Sequence, residues 1–127
     1  MRLSEIKKCL GCQLVCPTCS QEIEHIDIEY AYASDLMSDI LVAVKPGAIL
    51  LTGLTNNQVI RTGKVALCGA IVFVRRKKPN GETIKLAQQY QIPVLTTDLS
   101  MFDACGILYS CGLKGVSAEA AAEAEAG

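Results

Sequence analysis

The sequence lacks an excess of basic residues: twelve lysines and arginines stand against thirteen acidic residues, and the formal net charge is -1. Binding to nucleic acid draws on clustered positive charge that neutralises phosphates, so we do not expect this class of partner. No apolar run approaches the roughly 20 residues of a membrane helix, and the amino terminus lacks the charged-then-apolar pattern of a signal segment. We therefore expect a cytoplasmic protein without a membrane partner.

Signatures of catalysis are also missing. His25 is the only histidine, and no Ser-His-Asp set or nucleophile elbow accompanies it. The segment TGLTNNQVIRTG, residues 52–63, lacks the Gly-Lys-Ser/Thr ending with which a P-loop grips phosphates. We interpret His25 as a surface residue at the start of a strand, and we predict no catalytic residue.

The sequence does contain a regular alternation of apolar segments and segments of helical character. Strands are predicted at residues 26–33, 48–52, 70–74 and 92–96, and helices at residues 35–44, 56–67, 82–90 and 100–111. Alternation of this kind is typical of βαβ units, whose helices cover both faces of a parallel sheet. The predicted fold is a single α/β domain with a mostly parallel sheet of about four to five strands and helices on both faces.

Three regions of the chain differ in composition. We predict a cysteine-rich amino-terminal segment at residues 1–25, an α/β domain at residues 26–116, and a flexible tail rich in alanine and glutamate at residues 117–127. Because nearly all long apolar runs follow residue 25, we expect the core to form without residues 1–22.

Four of the seven cysteines lie within eleven residues, CLGCQLVCPTC, at Cys9, Cys12, Cys16 and Cys19. Two Cys-x-x-Cys pairs provide four thiolates for zinc or for an iron–sulfur cluster, and the short spacing between the pairs favours the cluster. The alternative is a set of reduced thiols or a redox-active pair. The other three cysteines stand in apolar surroundings and are interpreted as small core residues; they are Cys68, Cys105 and Cys111.

Polar residues follow each predicted strand. Because the carboxyl ends of parallel strands meet at one edge of the sheet, where ligands of open α/β sheets bind, these side chains form a candidate site for a nucleotide or another anion. Several of them are equally good helix caps, and the basic run at residues 75–78 is typical of a solvated loop. The candidate ligand-binding residues are Ser34, Asp35, Thr52, Gly53, Thr55, Asn56, Arg61, Thr62, Arg75, Thr97 and Asp98.

Three stretches carry a resemblance to a known family: YAYASDLMSDIL at residues 30–41, LLTGLTNNQVIRTG at residues 50–63, and residues 69–115. Together they resemble the DRTGG domain family, with Arg61, Thr62 and Gly63 matching part of the motif that names it. The resemblance implies an α/β domain similar to the amino-terminal domain of HPr kinase. It also implies a regulatory or dimerising module without an established catalytic activity.

Three hypotheses for the function follow. The first is a non-catalytic regulatory or interaction module with a four-cysteine metal or iron–sulfur site. The second is a small electron-transfer protein whose partner is a redox enzyme, and the third is a nucleotide or anion sensor. A homodimer is implied by the resemblance and by the apolar residues of the last helix, since a closed pair commonly covers such a surface. Those residues are Met101, Phe102, Ile107, Leu108 and Leu113.

Overall fold

The computed structural model describes residues 1–15, 23–43 and 45–117. Within them the chain forms five α-helices, one short 3-10 helix and six β-strands. In chain order these are α1 (Leu3–Leu10), β1 (Gln13–Leu14), the 3-10 helix (Ile23–His25), β2 (Tyr30–Ala33), α2 (Met37–Ala43), β3 (Ile49–Thr52), α3 (Asn57–Val65), β4 (Ala70–Phe73), α4 (Gly81–Tyr90), β5 (Val94–Thr96), α5 (Met101–Ser110) and β6 (Lys114–Gly115). None of the described helices is long and apolar enough to cross a membrane.

The strands form one sheet in the order β1-β5-β4-β3-β2-β6. All neighbouring pairs are parallel except β1 with β5, which are antiparallel. The chain steps from β2 to β5 one strand at a time and then crosses the sheet through α5 to place β6 beside β2. The predicted α/β fold with a mostly parallel sheet is confirmed, and its six strands slightly exceed the four to five expected.

Alternate residues of the central strands enter two separate apolar clusters, as the period of two in a strand requires. On β3, for example, Ile49 and Leu51 enter one cluster while Leu50 enters the other. The first cluster includes buried residues of α1 and α5, and the second includes buried residues of α2, α3 and α4. Helices therefore cover both faces of the sheet, as predicted.

The first helix is part of the main core. Leu3 and Ile6 are fully buried, Leu10 is 3% exposed, and all three belong to the cluster shared with β3, β4, β5 and α5. Helix α1 therefore contributes to the main core, and the expectation that the core forms without residues 1–22 stays a prediction. The apolar residues of this helix recur at spacings of three and four, which places them on one face against the sheet.

Capping residues and turn residues in the sequence predicted the ends of several helices and strands correctly. Asn56 is one of the candidate residues that suit a helix cap, and its side chain accepts a hydrogen bond from the N–H of Val59 at 3.2 Å, at the start of α3. Gly112 follows the C-cap residue Cys111 of α5, and its φ of +104° suits that position. The first strand was predicted at residues 26–33, but the observed strand β2 begins only at Tyr30. His25 lies exposed in the 3-10 helix rather than at the start of a strand.

Candidate binding site at the carboxyl edge of the sheet

The sheet has a topological switch point between β4 and β5. The connection that leaves β4 passes through α4 on one face, whereas the connection that leaves β5 passes through α5 on the other face. Loops that depart in opposite directions open a crevice beyond the carboxyl ends of the strands, which is where open α/β sheets bind ligands. The polar residues at this edge divide into two groups, one on each side of β4.

The first group, named here the Asp35 cluster, comprises Asp35, Thr52, Gly53 and Arg75. Asp35 Oδ1 accepts hydrogen bonds from Thr52 Oγ1 at 2.9 Å and from the N–H of Gly53 at 2.7 Å. Arg75 Nη2 lies 3.9 Å from Asp35 Oδ2. A methyl group at Gly53 would overlap Arg75 Nη2, so the guanidinium lies against the backbone at this point. The cluster satisfies its charges internally and ties the ends of β2, β3 and β4 together.

The second group, named here the β4–β5 crevice, is an open cavity of about 430 Å³. Arg76 and Lys78 contribute two positive charges to its lining and Asp98 one negative charge. Arg76 Nε lies 3.5 Å from Asp98 Oδ1, and both of these side chains are 77% exposed. The residues that line the crevice are Gly11, Gln13, Arg76, Lys78, Thr96 and Asp98.

Two adjacent arginines divide between these groups because of the backbone after β4. Arg75 and Arg76 have φ values of +60° and +61°, which non-glycine residues seldom adopt. The N–H of Arg75 donates to the carbonyl of Leu99, and the N–H of Arg76 donates to the carbonyl of Thr97. These bonds hold the turn in place, and the two guanidinium groups reach partners on opposite sides of β4.

The antiparallel strand β1 closes the outer side of the crevice. Gln13 pairs with Thr96 across the two strands. The buried hydroxyl of Thr97 donates to the carbonyl of Leu10 at 2.7 Å, which joins the end of α1 to the end of β5. The amino-terminal segment thus supplies Gly11 and Gln13 to a site that the sequence placed only after the four long strands.

Several predicted ligand-binding residues form hydrogen bonds within the protein or lie on α3 and in the loop before it. Ser34 Oγ accepts from the N–H of Leu36 at 3.0 Å, and Asn56 caps α3. Thr62 is buried on α3, whereas Arg61 is exposed on the same helix and Thr55 is half-buried in the loop before it. Arg75 and Asp98 were among the residues predicted from the sequence, whereas Gly11, Gln13 and Thr96 were not. Arg76 and Lys78 were not candidates either, although the basic run at residues 75–78 is a signal that could have identified them.

The structure describes only two of the four predicted metal ligands, Cys9 and Cys12, because Cys16 and Cys19 lie outside the described residues. Cys12 is buried in the main core, and burial raises the pKa of its thiol to about 12. Cys9 is exposed, and its sulfur lies 3.6 Å from that of Cys111. Among the described residues no group of three or more histidine, cysteine or acidic side chains could hold a metal ion. The metal or iron–sulfur site stays a prediction.

The three cysteines interpreted as core residues differ in exposure. Cys68 is half-buried, and burial raises the pKa of its thiol to about 11. Cys105 is half-buried as well, and its pKa is raised for the same reason. Cys111 is exposed, so its interpretation as a core residue is wrong. Its position just after α5, beside an exposed glycine, leaves the thiol outside the apolar cluster.

Comparison with solved structures finds a similar fold. The chain is similar to the crystal structure of the CBS and DRTGG domains of the regulatory region of Clostridium perfringens pyrophosphatase, complexed with its activator diadenosine tetraphosphate. The TM-score is 0.62 at 16% sequence identity over 83% of this chain and 44% of the pyrophosphatase chain, so the match spans less than half of the latter. No protein-family profile matches the sequence, and no curated protein matches it. The likeness agrees with the DRTGG-like fold that the sequence motifs predicted.

Proposed function

We propose that this chain is a non-catalytic regulatory domain that binds a nucleotide or another phosphate-bearing anion in the β4–β5 crevice. The observation that carries the proposal is the position of Arg76 and Lys78, which line an open cavity at the switch point of the sheet. With Asp98 included, the lining carries two positive charges and one negative charge, a net charge of +1. A net positive lining attracts phosphate, and arginine offers it paired N–H donors.

The contact between Arg76 and Asp98 does not prevent this use. Ion pairs between exposed side chains contribute about 0–1 kcal/mol, so an anion can replace Asp98 as the partner of Arg76 at small cost. The side-chain amide of Gln13 and the hydroxyl of Thr96 add neutral hydrogen-bonding groups to the same lining. The crevice thus combines charged groups for phosphate with neutral polar groups.

A nucleotide is the ligand we favour, since the pyrophosphatase regulatory region, part of which is similar to this fold, was solved with diadenosine tetraphosphate as its activator. Fold similarity at this identity does not assign the ligand, so the experiment compares several anions. Thermal unfolding of the full chain is measured with ATP, diadenosine tetraphosphate and inorganic phosphate. Ligands that bind the folded state raise the melting temperature as their concentration exceeds the dissociation constant.

The double variant Arg76→Gln, Lys78→Gln tests the site. We expect its affinity for the stabilising anion to fall by about tenfold or more, because charge-assisted hydrogen bonds are lost. Lys85→Gln, which removes an exposed charge on α4, is the matched control and should leave affinity unchanged. Equal affinity in the double variant, or no stabilisation of the wild type by any of the three anions, would refute the proposal.

We also propose that the chain forms a homodimer through the exposed face of α5. Phe102 and Tyr109 are 86% and 77% exposed, and their spacing of seven residues places them on one side of the helix. A two-fold pair would bury both aromatic rings. Light scattering should give twice the monomer mass for the wild type and the monomer mass for Phe102→Glu. A monomeric wild type at micromolar concentration contradicts the proposal.

A further inference from the structure

Two exposed thiols from opposite ends of the chain lie in contact. The thiol of Cys111 donates a hydrogen bond to Cys9 Sγ with the two sulfurs 3.6 Å apart, although 102 positions separate the residues in sequence. Both side chains are exposed and therefore accessible to reagents in solution. Neither the cysteine cluster near the amino terminus nor the apolar surroundings of Cys111 in the sequence indicated this pair.

The backbone on both sides of the pair is held in place. Cys9 belongs to the last turn of α1, and Cys111 caps α5 with its N–H bonded to the carbonyl of Ile107 at 3.0 Å. Leu10 and Leu108 are buried in the same apolar cluster, which packs the two helices together on one face of the sheet. The packing of α1 against α5 therefore holds the two sulfurs in contact.

We propose that Cys9 and Cys111 form a reversible disulfide that joins α1 to α5 by exchange with a small-molecule disulfide such as oxidised glutathione. A disulfide bond is about 2.05 Å long, so the sulfurs must approach by about 1.5 Å, a distance that side-chain rotation can cover. Cys12, by contrast, is buried in the core and is closed to the same reagent.

The exchange proceeds in two balanced steps. One of the two thiols loses its proton and attacks a sulfur of the reagent, which forms a mixed disulfide and releases one reagent thiolate. The second protein thiol then loses its proton and attacks the protein sulfur of that mixed disulfide, which releases the other reagent thiolate. Both released thiolates take up the protons. Two protein thiols are oxidised, and one reagent disulfide is reduced to two thiols.

The test uses the full reduced chain incubated with oxidised and reduced glutathione at set ratios. Peptide mapping under non-reducing conditions should find Cys9 linked to Cys111 in most chains, and dithiothreitol should reverse the link. Neither Cys9→Ser nor Cys111→Ser should form this link, and the remaining partner thiol should retain one bound glutathione. Cys105→Ala, which alters a half-buried cysteine on α5, is the matched control and should cross-link as the wild type does.

Thermal stability provides an independent measurement. A disulfide that closes a loop of this length restricts the unfolded chain, and we expect oxidation to raise the melting temperature by on the order of 10 °C. The rise should be absent in Cys111→Ser. Links that map mainly to other cysteine pairs, stable glutathione adducts on both thiols, or an unchanged melting temperature in cross-linked wild type would each overturn the proposal.

Discussion

The Asp35 cluster and the β4–β5 crevice lie at the same edge of one sheet and use their charges in different ways. In the cluster, the carboxylate of Asp35 accepts two hydrogen bonds from the end of β3 and faces the guanidinium of Arg75. In the crevice, the side chain of Arg76 makes a highly exposed ion-pair contact with Asp98, and Lys78 lines the same cavity. The cluster connects the ends of three strands, whereas the crevice is an open cavity lined by exposed charged side chains.

This difference shows how polar residues at strand ends should be interpreted. The sequence presents both groups alike, as polar or basic residues that follow apolar runs. A charged group whose hydrogen bonds are already made within the protein contributes to stability, and a ligand must displace those bonds before it can bind. Partner contacts in the folded chain, more than residue type, therefore distinguish a structural group from a binding site.

The largest expected effect concerns α1, the helix before the residues that the amino-terminal segment contributes to the crevice. Ile6→Ala removes a fully buried side chain from α1, the helix that leads into Gly11 and Gln13. We expect the free energy of unfolding to fall by about 2–5 kcal/mol, measured by urea denaturation. Val42→Ala, at a site that is 89% exposed, is the control and should change it by less than about 0.5 kcal/mol. A loss below about 1 kcal/mol for Ile6→Ala would show that α1 is not an integral part of the core.

A smaller effect separates the two groups directly. Asp35→Ala removes the acceptor for the buried hydroxyl of Thr52 and for the N–H of Gly53. We expect the free energy of unfolding to fall by about 1–2 kcal/mol while anion affinity stays the same. Asp39→Ala, at an exposed aspartate of α2, is the control. Weakened anion binding in the Asp35 variant would mean that the two groups act as one site.

The smallest effect concerns the guanidinium that lies against Gly53. Gly53→Ala places a methyl group where Arg75 Nη2 now lies, and the flexible end of that side chain can move away. We expect the free energy of unfolding to change by less than about 1 kcal/mol and anion affinity to remain unchanged. In Gly69→Ala the new carbon would stand 2.6 Å from the backbone carbonyl oxygen of Gly47, which cannot move as easily, so its loss should be larger. Equal losses in the two variants would contradict this explanation.

Much of the fold was predictable, because the long strands are apolar runs bounded by turns. Residues 70–74 and 48–52 were predicted as strands and contain β4 (Ala70–Phe73) and β3 (Ile49–Thr52). The helices between them carry local start signals such as Asn56, whose side chain caps α3. The two outer strands were missed because each has only two residues, too few to show any periodicity.

The location of the candidate site was more predictable from the sequence than the residues that line it. Parallel strands bring their carboxyl ends to one edge whatever the sequence of the loops, so Asp35, Arg75 and Asp98 were placed there correctly. Gly11 and Gln13 were missed, because they reach the edge through the antiparallel pairing of β1 with β5. No local pattern in the amino-terminal segment specifies that pairing.

The sequence by itself determined the alternation of strands and helices, the parallel sheet and the edge at which polar groups gather, because periodicity and capping act over a few neighbouring residues. Only the tertiary structure decided that α1 enters the core, that Arg75 and Arg76 reach opposite sides of β4, and that Cys9 meets Cys111. Contacts between residues 102 positions apart depend on how whole helices pack across the sheet, which no local window of sequence contains.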